Sequence, residues 1–277
     1  MERIAVLLTV HNRREKTLYA LSRLFAVPLS QQYVLDVYLT DDGCTDGTAE
    51  AVAEKYPTVH ILKGDGSLFW NRGMRLAWEA AAVTNPEFYL WLNDDTYLFD
   101  KALEVLLSSS ATKNHKAIIL GTTCDTATGK EITYGGKIKG GAYVFDEKKC
   151  SSCIYMNGNI VLIPRYVFER VGYNDNHYRH AMGDYDYGLM AIKKGIEIFA
   201  APGFLGQCDL HDTIATWKNP DRSLKERWKA MFRPTGANPF EYFYYRKKHF
   251  GVFAACQTFI SNFVHLLFPR LWTPDHR

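Results

Sequence analysis

The chain is 277 residues long, with 47% hydrophobic residues and a net charge of +3 from 33 Lys and Arg against 30 Asp and Glu. This length and composition agree with a soluble enzyme that buries one large core, and they argue against a disordered chain. The modest charge, without any nucleic-acid-binding motif, argues against a nucleic acid partner. No signal-peptide pattern precedes the first apolar run, and the six cysteines are scattered, so we expect a cytoplasmic protein with reduced thiols.

Short apolar runs alternate with segments of helical spacing along the first hundred residues. The runs cover 4–8, 34–39, 59–62 and 88–91, and each is followed by a polar cluster. Alternation of this kind predicts an α/β fold in which parallel strands are joined by helical crossovers. Ligands of such sheets bind at the carboxyl ends of the strands, where all of these polar clusters lie.

Two adjacent carboxylates, Asp94 and Asp95, leave the end of the fourth apolar run. Such a pair is costly at the end of a buried strand unless a cation neutralises it. Mg²⁺ or Mn²⁺ would do so with oxygen ligands and keep coordination positions free for a phosphate. The alternative is that Asp94 caps the next helix and Asp95 is solvated. Several polar clusters converging on one edge favour the metal site.

Five segments occur in an order typical of one enzyme family. They are residues 9–13 (TVHNR), 41–48 (DDGCTDGT), 64–73 (GDGSLFWNRG), 93–95 (NDD) and 183–189 (GDYDYGL). Across roughly residues 3 to 210 the chain thus resembles the family 2 inverting glycosyltransferases of the GT-A type, among them bacterial polysaccharide-assembly enzymes. The resemblance implies a GT-A fold, a Rossmann-like, mostly parallel sheet flanked by helices.

The same resemblance implies a catalytic domain over 1–217, with a nucleotide-binding half of about 1–97 and an acceptor half of about 98–217. Residues 218–277 would form a helical, basic and aromatic C-terminal extension. Asp95 is the expected metal ligand for Mn²⁺ or Mg²⁺, and Asp94 would orient the ribose or a metal-bound water. The expected nucleotide-binding residues are Thr9, Asn12, Arg13, Asp41, Asp42, Asn71, Arg72, Gly73 and Asp94.

Chemistry supports several of these assignments. A carboxylate from Asp41 or Asp42 can accept the N3–H of a pyrimidine, which favours a UDP- or dTDP-sugar donor. Backbone amides at the helix start near Asn71 can approach a diphosphate, and Arg72 can add charge. We expect Asp46, by contrast, to cap a helix.

Asp184 is the expected general base, which would accept the proton of the acceptor hydroxyl. The family commonly has Glu-Asp at these two positions, and Gly183 replaces the Glu here. Asp186 would face elsewhere on a helix and support the structure. His211 is a candidate third metal ligand by resemblance, although a lone His is more often an ordinary polar residue.

The C-terminal extension is strongly basic. Residues 218–277 hold eleven Lys and Arg against four Asp and Glu, a net charge of +7 that leaves −4 for residues 1–217. The stretch from Phe250 to Phe268 has nineteen residues without Asp, Glu, Lys or Arg, but it is too polar to indicate a transmembrane span. A peripheral contact with the inner face of an anionic membrane and a helix packed on the catalytic domain both fit this pattern.

These observations predict a metal-dependent inverting glycosyltransferase of cell-surface polysaccharide synthesis. It would move a sugar from a nucleotide-sugar donor to a glycan or lipid-diphosphate acceptor. A sugar-phosphate nucleotidyltransferase is one alternative, but residues 9–13 lack the glycine- and arginine-rich loop that such enzymes carry. A non-catalytic nucleotide-sugar-binding protein is another, against which Asp184 argues because binding needs no base.

Overall fold

A central mixed sheet flanked by helices dominates the computed structural model, which describes residues 1–210 and 215–271. The predicted ligand His211 lies outside the described residues. The strands are β1 (Glu2–Val10), β2 (Tyr33–Asp41), β3 (His60–Lys63), β4 (Phe88–Leu92), β5 (Tyr97–Leu98), β6 (Ile118–Cys124), β7 (Ile132–Tyr134), β8 (Gly136–Lys137), β9 (Ser151–Cys153), β10 (Tyr155–Met156), β11 (Ile160–Pro164) and β12 (Ile198–Gln207). The helices are α1 (Arg14–Ala26), α2 (Thr48–Lys55), α3 (Phe69–Ala82), α4 (Ala102–Thr112), α5 (Arg165–Val171), α6 (Gly183–Lys193), α7 (Leu224–Met231), α8 (Pro239–Phe250) and α9 (Val252–Leu267).

Parallel pairing dominates the amino-terminal half of the sheet. The strand order is β3-β2-β1-β4-β11-β6-β12-β5, and the first four strands run parallel to one another. β11 is antiparallel to both β4 and β6, whereas β6 and β12 are parallel. The register aligns Val10 with Asp41, so β1 and β2 end at the same edge. The predicted α/β fold with a mostly parallel sheet is confirmed.

The central strands β4 and β11 are apolar throughout because helices cover both faces of the sheet. Alternate residues of β1 join different cores: Ile4, Val6 and Leu8 pack with α1 and α4, while Ala5 and Leu7 pack with α3 and α6. This period of two is the one a strand requires. The sheet is therefore buried on both sides, and only its strand ends are open to ligands.

The C-terminal helices pack on the catalytic part through buried charges. Asp186 of α6 is fully buried and accepts hydrogen bonds from Lys248 Nζ at 2.8 Å and His249 Nε2 at 2.7 Å, both on α8. Glu241 at the start of α8 pairs with Arg179 at 2.7 Å. Asp186 thus has the structural role expected of it. Among the described residues, no helix has the length and apolar character needed to cross a membrane.

Candidate active site

The carboxylates Asp94 and Asp95 follow β4 and are almost fully buried. Arg13, in the loop after β1, holds both: its Nη1 donates to Asp94 Oδ1 at 3.1 Å and to Asp95 Oδ2 at 2.7 Å. Burial raises the pKa of Asp94 to about 7, and the adjacent Asp95 charge adds to this rise while Arg13 opposes it. Arg13 is therefore a cation that partly neutralises this acidic pair.

This pair fits a hard divalent cation. Asp94 Oδ2 is buried and has no hydrogen-bond partner among the described residues, so an unsatisfied carboxylate oxygen faces the site. Two carboxylates offer the oxygen donors that Mg²⁺ and Mn²⁺ prefer, and such ions commonly take their remaining ligands from substrate phosphates and water. Within residues 1–210 and 215–271 no group of three or more His, Cys, Asp or Glu side chains is placed to hold a metal. The carboxylates of Asp94 and Asp95 are the candidate metal ligands among the described residues.

Loops after β1 and β2 meet beside this pair. Asn12 adopts a left-handed backbone (φ 51°), and its Oδ1 accepts from the Thr45 N–H at 2.7 Å. Asp46 accepts from the backbone N–H groups of Arg14 and Thr48, the first residues of α1 and α2. It lies one residue before the N-cap residue Gly47, so it bonds both helix starts without being the predicted cap. The hydrogen bonds of Asn12 and Asp46 therefore connect the starts of α1 and α2 at the edge of the sheet where a donor would bind.

Asp41 and Asp42 lie at the end of β2, and their carboxylates differ in how many hydrogen-bond acceptor positions remain for a ligand. Asp41 Oδ1 accepts from the Cys44 N–H at 2.7 Å. Asp42 accepts three backbone N–H bonds, from Gly66, Leu68 and Phe69, at 2.8 to 3.2 Å. A carboxylate has about four acceptor positions, so Asp42 is largely occupied while Asp41 can still accept from a base. Asp42 holds the loop before α3, and its contact with base or ribose stays a prediction.

The start of α3 is held by hydrogen bonds to the segment before α6. Asn71 is fully buried, and its Nδ2 donates to the carbonyls of Asp175 and Tyr178, each at 2.8 Å. The Asn71 N–H donates to the Arg179 carbonyl at 2.9 Å, and the Phe69 N–H donates to Asp42. The Phe69 and Asn71 N–H groups are therefore already bonded to protein, and contact of Asn71 with the nucleotide stays a prediction.

The other two residues of that segment are also tied to protein. Arg72 Nε donates to the Asn176 carbonyl at 3.1 Å. Gly73 is buried against Thr9, where a Cβ at position 73 would overlap the Thr9 side chain, and its carbonyl accepts from Thr40 Oγ1 at 2.8 Å. Gly73 therefore permits close packing of α3 on β1, and its contact with nucleotide stays a prediction. Nucleotide contacts from Thr9 and Arg72 stay predictions.

Asp184 lies in the first turn of α6 and is partly buried. Its Oδ2 accepts from the Gly158 N–H at 3.1 Å, and its Oδ1 accepts from the Tyr185 N–H at 2.8 Å. Burial raises the pKa of Asp184 to about 6, against these hydrogen bonds and the charge of Lys137. A carboxyl group with this pKa is ionised at neutral pH and is a stronger base than an ordinary Asp.

Trp70 links the acidic pair to Asp184. Its Nε1 donates to Asn93 Oδ1 at 2.8 Å, and Asn93 directly precedes Asp94. The Trp70 ring lies on Gly158, where any Cβ would overlap it, and the Gly158 N–H bonds Asp184. Trp70 therefore packs between two acidic groups and fixes the spacing between them.

The space that a Glu would need at position 183 is filled. A Cβ on Gly183 would overlap the Asn71 side chain amide. Asn71 Oδ1 also accepts from Asn174 Nδ2 at 2.7 Å, so it is held in place. Gly183 therefore stands in place of the family's Glu at a position where the buried Asn71 amide fills the space of a side chain.

An open sheet with acidic strand ends, faced by a carboxylate on a separate helix, has the architecture of GT-A glycosyltransferases. The chain belongs to glycosyl transferase family 2, whose family model matches residues 5–260. The match therefore extends past residue 217 into α9. A search of curated proteins finds no match to this chain.

Solved structures share the fold at low sequence identity. Staphylococcus aureus TarS gives a TM-score of 0.60 at 14% identity, covering 98% of this chain and 53% of TarS. A TarS fragment (residues 1–349) in complex with UDP-GlcNAc gives 0.59 at 13% identity, covering 98% of this chain and 74% of the fragment. GalNAc-T7 with UDP, GalNAc and Mn²⁺ gives a TM-score of 0.59 at 13% identity, covering 90% of this chain and 50% of the GalNAc-T7 chain. The chain spans about half the length of TarS, and these similarities establish the fold.

Proposed function

We propose that this protein is a metal-dependent, inverting glycosyltransferase that uses a UDP- or dTDP-sugar donor and a glycan or lipid-diphosphate acceptor in cell-surface polysaccharide synthesis. The observation that carries the proposal is the raised pKa of Asp184, a carboxylate linked through Gly158 and Trp70 to the buried Asp94–Asp95 pair. The UDP-GlcNAc complex of TarS and the UDP and Mn²⁺ complex of GalNAc-T7 support the donor and metal assignments.

On the donor side, Asp95 with Asp94 would hold Mg²⁺ or Mn²⁺. When bound, that ion would stabilise negative charge on the departing diphosphate. Arg13 already contacts both carboxylates, so its guanidinium is placed to bind the nucleotide phosphates as well. Asp41 keeps acceptor capacity for the N3–H of uracil or thymine, which supports a pyrimidine nucleotide.

On the acceptor side, Asp184 takes the proton. The acceptor hydroxyl oxygen bonds to the anomeric carbon while the bond from that carbon to the diphosphate oxygen breaks on the opposite face. The hydroxyl proton passes to the Asp184 carboxylate, and the bonding electrons leave with the nucleoside diphosphate. A pKa of about 6 makes this transfer more favourable than it would be for an ordinary Asp.

Transfer from labelled donors tests the proposal against its alternatives. Purified protein would be incubated with radiolabelled UDP- and dTDP-sugars, Mn²⁺ or Mg²⁺, and a panel of glycan and prenyl-diphosphate acceptors. We expect label in the acceptor, with inverted anomeric configuration by NMR, and none in EDTA. Formation of a nucleotide sugar from a nucleoside triphosphate would indicate a nucleotidyltransferase instead. Donor binding without any turnover would indicate a binding protein.

A peripheral membrane contact is part of the proposal. Phe253, Ile260, Val264 and Leu267 project from one stripe of α9 and are 39% to 82% exposed; we name this stripe the α9 ridge. Exposed apolar side chains at helical spacing beside basic residues suit the interface of an anionic bilayer. The net charge of +7 over residues 218–277 supplies that complementarity. We therefore commit to an anionic lipid surface as the partner of the α9 ridge.

Cosedimentation with phosphatidylglycerol vesicles tests the α9 ridge. We expect the protein to bind at low salt and to be partly released at 0.5 M NaCl, because roughly 1 kcal/mol per basic residue is screened. The double variant Phe253→Ser, Ile260→Ser should bind far less. Val83→Ser is the matched control, since Val83 is 86% exposed on another part of the surface. If the double variant binds like the parent, or if it converts a dimer to a monomer, the lipid assignment is wrong.

A further inference from the structure

An aromatic cleft lies between α6 and the C-terminal helices. It has a volume of about 320 Å³, a size that fits one or two sugar rings. Four tyrosines line it, Tyr155, Tyr185, Tyr242 and Tyr245. The rings of Tyr155 and Tyr185 lie 5.5 Å apart with an interplanar angle of 32°. Tyrosine rings offer a flat apolar face and a hydroxyl group, which suits the mixed surface of a carbohydrate.

The cleft also contains a cation without a carboxylate partner. Arg246 of α8 lines it, and the guanidinium carbon lies 4.5 Å from the ring centre of Phe250. Arg246 Nε is buried and has no hydrogen-bond partner within the described part of the chain. No carboxylate in that part of the chain forms an ion pair with Arg246. A buried guanidinium N–H without an acceptor is costly, and an anion that accepts its hydrogen bond would remove the cost.

The cleft adjoins the proposed base. Met182 and Tyr185, which line the cleft, flank Asp184 in the sequence. Burial, and secondarily the negative charge of Asp184, raise the pKa of Tyr242, so this tyrosine of α8 lies within electrostatic range of the carboxylate. A molecule in the cleft would therefore lie beside the group that takes its proton.

We propose that this cleft is the acceptor site, and that the acceptor carries a phosphate or carboxylate group that Arg246 binds while the tyrosine rings pack against the adjoining sugar. The inference rests on the proposed glycosyltransferase function. It makes α8 and α9 part of the active site instead of a separate appendage. A prenyl diphosphate and an acidic glycan share the required chemistry, so the experiment includes both.

Calorimetric titration of small probes tests the site. The folded full chain, saturated with UDP and Mn²⁺, would be titrated with geranyl diphosphate, with a glucuronate-containing disaccharide and with the neutral glucose disaccharide. We expect one of the anionic probes to bind at least about tenfold more tightly than the neutral one. Arg246→Gln should weaken that binding by about 10- to 100-fold, the effect of losing hydrogen bonds to a charged group. Tighter binding of geranyl diphosphate would indicate a lipid-linked acceptor, and tighter binding of the glucuronate an acidic glycan.

Two further variants make the test specific. Lys247→Gln removes the same charge from the next residue of α8, which is exposed, and should leave probe binding unchanged. Arg246→Lys keeps the charge but not the planar donor fork, so its affinity should be intermediate. Equal losses in Lys247→Gln and Arg246→Gln, or the binding of neither anionic probe while UDP still binds, would overturn the proposal. Failure of UDP binding would instead contradict the glycosyltransferase function.

Discussion

Replacement of Asp184 by asparagine separates binding from chemistry. The substitution keeps the shape of the side chain but removes the group that takes the acceptor proton. Base catalysis typically contributes 10²- to 10⁴-fold, so we expect kcat to fall by about 10³-fold while the affinity for UDP is retained. Steady-state transfer and calorimetric titration with UDP measure the two quantities. Asp186→Asn would not test a second candidate base cleanly, because Asp186 is fully buried and forms ion pairs with α8.

The pH dependence follows from the same group. The parent needs Asp184 ionised, so kcat/KM should rise with pH through about 6 and level off above it. The folded-state pKa of about 6 exceeds the ordinary value of 3.8, so the ionised carboxylate destabilises the fold as pH rises between these values. This difference in pKa corresponds to a decrease of at most about 3 kcal/mol in the free energy of unfolding at pH 8.

Asparagine removes that destabilisation at neutral pH. The asparagine side chain cannot accept hydrogen bonds from both the Gly158 and the Tyr185 N–H groups. The loss of one of them lowers the free energy of unfolding by roughly 1 kcal/mol. Asp184→Asn should therefore raise the free energy of unfolding by about 1–2 kcal/mol at pH 8, with no gain at pH 3.5. Urea denaturation at both pH values measures this. A loss of activity below about tenfold, or a kcat/KM that is flat from pH 5 to 8, would refute the assignment of the base.

Two variants address how the site is held together. Trp70→Phe loses the hydrogen bond to Asn93, so kcat should fall by about tenfold with UDP affinity retained; an unchanged kcat would show that Trp70 does not set the spacing. Gly183→Ala forces a Cβ onto the buried amide of Asn71, and overpacking of this kind should lower the free energy of unfolding by about 1–3 kcal/mol. Thermal unfolding that matches the parent would contradict the packing of Asn71 against α6.

The parallel half of the fold could be predicted because its strands are apolar on both faces and end in polar clusters. The strand 160–164 (IVLIP) is equally apolar, but its antiparallel position between β4 and β6 could not be predicted. An apolar run pairs in either direction, and its orientation depends on the path of the chain on both sides. Direction is a property of topology, which the local pattern does not contain.

The acidic pair of the candidate site could be predicted because its chemistry is local, whereas hydrogen bonds to distant segments could not be predicted. The pair at 94–95 stands out because two carboxylates end an apolar strand. Asn71 had the expected polar side chain, but its partners are the carbonyls of Asp175 and Tyr178, more than a hundred residues away. Arg246 could not be assigned to a site, because only the packing of α8 on α6 brings it near Asp184. The basic charge of the extension was visible, but not that Arg246 lines a cleft with a buried, unpaired Nε.

Calorimetric titration of UDP with Mn²⁺ tests most directly the claim that two carboxylate groups divide the work. Asp95→Ala and Asp184→Asn would be compared with the parent, and the parent would also be titrated in EDTA. The account predicts that Asp184→Asn binds UDP like the parent, whereas Asp95→Ala and the parent in EDTA bind at least about tenfold more weakly. Unchanged affinity in Asp95→Ala, together with a loss in Asp184→Asn, would contradict the account.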